Sequence, residues 1–96
     1  MSHESGSHDA HSHDAKLIYM ANQIGKFFAN KPTDQAVEGI TDHILKYWDP
    51  RMRRAIAAHL DAHGTDGLDP LALQAVEKVR EHDKLKAAAT AAASGH

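Results

Sequence analysis

Histidine is the residue type here that most suggests chemistry: the chain has nine in 96 residues. Four of them, His3, His8, His11 and His13, crowd the first fourteen positions beside Glu4 and Asp9. Imidazole and carboxylate ligands suit zinc, nickel or copper. The spacing fits no closed structural site, because nothing rigid orders the ligands. Two readings stand, an inert solvated tail and weak metal buffering.

A second pair, His59 and His63, has the i, i+4 spacing that can hold a metal on one helix face. No Glu follows His59, so the H-E-x-x-H pattern of a metalloprotease is absent. The alternative is a solvated helix end, where His63 suits the negative end of the helix dipole. Asp42 and His43 are sequence neighbours, about 100° apart on a helix, and do not face each other. His43 reads as a structural residue. Serine occurs only near the two ends, and there is no cysteine and no glycine-rich phosphate loop. No catalytic residues, metal ligands or cofactor-binding residues are assigned.

The elements that would position these groups are helical throughout. Residues 15–29 carry Leu17, Met20, Ala21, Ile24, Phe27 and Phe28 at helical spacing, with Asn22, Gln23 and Lys26 opposite. Asp14 is the expected N-cap. Gly25 interrupts the pattern, either tolerated or marking close approach of another helix or a partner backbone. After Asn30-Lys31-Pro32, a second helix is expected over 33–48, capped by Thr33 or Asp34. Its apolar face is Val37, Ile40, Ile44 and then Tyr47 or Trp48; Asp42 and Lys46 stand at pairing distance on the polar side.

The turn Y-W-D-P-R-M at Tyr47–Met52 organises the chain. Trp48 is the only tryptophan, and a buried aromatic removes roughly 150–250 Å² from water. Asp49 can cap the next helix, and Pro50 needs no donor at its first position. That third helix covers 50–63, with Met52, Ala55, Ile56, His59 and Leu60 on one side and Gly64 ending it. Asp69-Pro70 opens a fourth, with Leu71, Leu73, Val76 and Val79 as its apolar side. The expected fold is all-α: a small bundle of three to four short helices over residues 15–86. A disordered His-rich tail precedes it (1–14) and a disordered Ala-rich tail follows (87–96).

A domain of this size buries only roughly 60% of its unfolded surface, so it either folds weakly by itself or gains stability by docking on a larger partner. Formal charge is −2, and without the tail acids Glu4, Asp9 and Asp14 eleven basic residues face ten acidic ones. That balance argues against nucleic acid despite Arg51, Arg53 and Arg54 in one helical turn. No apolar run approaches the roughly 20 residues of a membrane span. Lack of cysteine suits a reducing cytoplasm, the expected location. Tyr19, Met20, Phe27, Phe28, Tyr47, Trp48 and Met52 are many large side chains for a thin core, which favours protein interaction, though Trp48 is expected to be buried.

Three blocks, K-L-I-Y-M-A-N-Q-I-G-K-F-F, A-V-E-G-I-T-D-H-I-L-K-Y-W-D-P-R-M-R and G-L-D-P-L-A, span Lys16 to about Arg80. In combination they resemble the delta subunit of soluble NAD-dependent molybdenum formate dehydrogenase. The resemblance implies a small accessory subunit without a redox centre, serving assembly, stability or cofactor maturation of a complex whose alpha subunit oxidises formate. The alternative it implies is a transient metal or molybdenum-cofactor chaperone. Side-chain type and helix face choose Met20, Asn22, Gln23, Phe28, Trp48, Arg51 and Arg53 as contacts to the alpha subunit.

Overall fold

A computed structural model describes residues 4–64 and 67–94, with side chains described over 14–64 and 67–90. Four helices follow in order: α1 (Glu4–Phe28), α2 (Thr33–Tyr47), α3 (Pro50–His63) and α4 (Pro70–Ser94). Among the described residues there is no strand. The all-α bundle is as expected. Its outer helices are longer than expected, α1 beginning before Asp14 and α4 continuing to Ser94. Alanine is the strongest helix former, and propagation adds one backbone bond per residue fixed, so α4 continues through the exposed positions 84–90. The imidazoles of the His-rich stretch lie outside the described residues.

Local chemistry explains the turns. Pro32 stands at the start of α2 and provides no side-chain cap, contrary to the expected Thr33 or Asp34. Asp34 instead accepts from the Gln35 N–H at 3.0 Å. At the corner between α2 and α3, Asp49 accepts the Met52 N–H at 2.9 Å, with Pro50 at the first helical position. Gly64 closes α3 at φ +69°, its N–H donated to the Leu60 carbonyl at 2.8 Å. A side chain would strain that backbone.

The core comprises Leu17 and Ala21 of α1, Val37, Ile40 and Ile44 of α2, Ile56 and Leu60 of α3, and Ala72, Ala75, Val76 and Val79 of α4. Trp48 and Leu68 join it from the connecting turns. α4 packs on all three other helices. Its buried side is the expected one only in part: Val76 and Val79 are buried as expected, but Leu71 and Leu73 are half-buried and Ala72 and Ala75 take their place. Small residues there let α1 come close. A Cβ placed on buried Gly25 would meet the Ala72 backbone nitrogen at 3.7 Å, an ordinary van der Waals contact, so the available space favours the tolerated-glycine reading.

Other expectations need correction. Phe27 is 78% exposed rather than on the buried face. Asp14 is inside α1, not at its cap, and its carboxylate stands 3.4 Å from His59 Nδ1. His59 is correspondingly not part of a solvated helix end: its side chain is 12% exposed, and its ring lies tilted against that of His63 with centroids 4.8 Å apart.

Candidate functional site

The surface where α1, the end of α2 and the start of α3 meet holds a groove of about 360 Å³. Trp48 and Met52 contribute from the α2–α3 corner, Met20 and Ile24 from α1. Trp48 is 4% exposed, so only the edge of its ring reaches the groove while the rest fills the core. Met20, Ile24 and Met52 are half-buried. Tyr19 and Tyr47 stand on the rim, 64% and 72% exposed. His43 lies one turn before Tyr47 and leans on it, centroids 4.8 Å apart. Gln23 completes the lining.

The groove follows from helical geometry. Tyr19 and Gln23 are four residues apart on α1, as are His43 and Tyr47 on α2, so each pair forms one row. The Asp49-Pro50 corner then turns the chain so that Met52 faces back toward α1. Adaptable methionines beneath aromatic rims make a surface suited to a protein side chain or helix face. It contains no paired acid and base and no nucleophile. Among the described residues no group of three or more His, Asp or Glu is placed to hold a metal ion.

Of the side chains chosen from sequence, Met20, Gln23 and Trp48 come together here. The others are elsewhere. Asn22 clamps α1 to the turn before α4: its Nδ2 donates to the Gly67 carbonyl and its Oδ1 accepts the Asp69 N–H, both at 2.9 Å. Phe28 lies over Gly39 of α2 and meets Phe27 edge-on, centroids 5.2 Å apart. Arg53 is only 16% exposed; Nη1 donates to the Leu45 carbonyl at 3.2 Å, and Nε lies 3.2 Å from Asp83 Oδ2, off-axis for a hydrogen bond. Arg51 is exposed in the first turn of α3 and does not line the groove. Of the rim residues, Tyr19 was not chosen from sequence, and neither were Tyr47 and His43. Their four-residue spacing was the available signal, obscured by the choice between Tyr47 and Trp48 for the apolar face.

Among known proteins, residues 16–76 match the family described as NADH-dependent formate dehydrogenase delta subunit, FdsD. No curated protein and no solved structure gives a significant match. The matched stretch takes in the second half of α1, all of α2 and α3, the start of α4 and every residue lining the groove. With well over half of its length inside that match, the chain belongs to the FdsD family of formate dehydrogenase delta subunits.

Proposed function

We propose that this protein is a non-catalytic accessory subunit of a cytoplasmic, NAD-dependent molybdenum formate dehydrogenase. It docks on the catalytic alpha subunit through the Tyr19–Tyr47 groove and supports assembly or stability of the complex. Formate oxidation and electron transfer to NAD belong to other subunits. The observation that carries the reading is the groove itself: two exposed tyrosines flank methionines and a tryptophan edge, inside the stretch matched to the family. Exposed large aromatics gathered at one place mark an interaction surface rather than a solvated face.

Docking would also stabilise a small bundle, since anything that binds only the folded state adds to its stability. The test is co-purification. The tagged chain is expressed with the formate dehydrogenase subunits, and each subunit is also offered alone. Recovery of the alpha subunit alone is the expected result, with more intact complex and unchanged formate turnover per bound molybdenum. Capture of another subunit in preference to alpha would overturn the assignment of the partner. A change in turnover per molybdenum would overturn the non-catalytic role.

A further inference from the structure

A second groove, of about 740 Å³, runs between the first half of α3 and the outgoing half of α4. It differs in character from the aromatic one. Pro50, Ala57 and Ala87 give it a lining of small apolar groups, and Arg54, Lys84 and Lys86 stand along it as cations. Arg53 and Arg80 also border it, but their charges are used inside the fold, by Asp83 at 3.2 Å and by Asp61 at 2.6 Å. Arg54, Lys84 and Lys86 meet no carboxylate among the described residues. Three uncompensated cations therefore share one cleft in a chain whose formal charge is −2.

The pattern is regular along both walls. On α3, positions 50, 53, 54 and 57 form one helical row, and on α4 positions 80, 83, 84 and 87 form another. At 1.5 Å rise per residue these rows run about 10 Å, and the cleft continues to Thr90, about 15 Å from Arg80. Two helical rows, three small apolar lining residues and three cations along a cleft of this length fit an elongated occupant of two to three helical turns. Small anions are bound by convergent, fixed donors, whereas Arg54, Lys84 and Lys86 are exposed and strung along the cleft. An acidic amphipathic helix satisfies both features, with its carboxylates on the cations and its small apolar side on Ala57 and Ala87.

We infer that the α3–α4 cleft is a docking groove for an acidic amphipathic helix of a partner protein, distinct from the aromatic groove. Its α4 wall, Arg80 onward, lies beyond the residues matched to the family, and the aromatic groove lies wholly within them. The inference therefore stands whether or not the aromatic groove docks the alpha subunit.

The experiment uses the full chain and a fluorescently labelled 14-residue helical peptide of Glu, Ala and Leu, with its glutamates on one face. Anisotropy at about 50 mM salt should show saturable binding that falls at least about tenfold at 300 mM, as screening shortens the reach of the cations. The double variant Arg54→Glu, Lys84→Glu should lower affinity by at least about tenfold. The matched double reversal Lys26→Glu, Lys31→Glu, away from the cleft, should leave it within twofold. Circular dichroism verifies that both variants fold, and Arg54→Gln, Lys84→Gln gives an intermediate loss if the reversal does not. Absence of binding at low salt, or equal loss in both reversals, would overturn the proposal. So would tighter binding of a single-stranded oligonucleotide or of inorganic pyrophosphate through Arg54 and Lys84, which would reassign the cleft to nucleic acid or to small anions.

Discussion

Trp48 and Asn22 show how far a side chain's type can mislead about its duty. Both suit a partner surface, yet each is spent largely within the chain. Trp48 is 4% exposed and closes the core where α2 turns into α3. Replacing a buried Trp by Ala costs about 3–5 kcal/mol, much of the 5–15 kcal/mol that holds a domain folded. Trp48→Ala is therefore expected to be largely unfolded near body temperature, read as loss of the helical circular dichroism signal. A normal melting curve would remove Trp48 from the core. Asn22 satisfies two backbone groups, Gly67 C=O and Asp69 N–H, at a turn open to water. Water can replace part of both bonds, so Asn22→Ala should cost about 1 kcal/mol in urea unfolding, without loss of fold. A cost near zero would mean that the clamp is not formed in solution.

Helices α1, α2 and α4 meet at two glycines that behave oppositely. A Cβ on Gly25 finds only ordinary contacts, at 3.7–3.9 Å from Ala72 and Ile40. Gly25→Ala should therefore gain up to about 1 kcal/mol, the helix-propensity difference. A Cβ on Gly39 would sit 2.6 Å from the Phe28 ring, which must swing away. Gly39→Ala is expected to destabilise in the native background and to stabilise once Phe28→Ala has removed the ring. Unfolding midpoints of the four chains of that cycle measure the coupling; simple additivity would show that Phe28 does not rest on Gly39. The same elements mark what could be read from sequence. The bounds of α3 were legible because Asp49, Pro50 and Gly64 act locally, through one cap, one missing donor and one positive φ. The buried side of α4 was legible only at Val76 and Val79, since Ala72 and Ala75 matter by being small, and alanine leaves no hydrophobic stripe. Arg53 looked like a rim charge because Asp83, its partner, is thirty positions away and no local spacing announces it. The groove was half legible: its methionines, tyrosines and tryptophan were named for their type, while their gathering with His43 required knowing how the corner sets α2 against α1.

At the scale of the whole molecule, folding and docking draw on different side chains, and that separation can be measured. Trp48 and Leu68 are buried in the core, whereas Tyr19 and Tyr47 leave most of their surface in water. Removing both rings together, as Tyr19→Ala, Tyr47→Ala, deletes little buried area and should shift the midpoint of thermal unfolding by no more than a few degrees. If the alpha subunit covers the groove, the same double variant loses two aromatic contacts that become desolvated only in the complex. Hot-spot aromatics cost about 2 kcal/mol or more when truncated, which is roughly a thirtyfold rise in Kd. Titration of the wild-type and variant chains against the isolated alpha subunit, with melting curves run on the same samples, separates the two quantities. The expected pattern is unchanged stability with weakened binding. Equal loss of both would make the tyrosines part of the fold. Unchanged binding by a stable variant would leave the aromatic groove without a docking role and direct the search for the contact to the cationic cleft between α3 and α4.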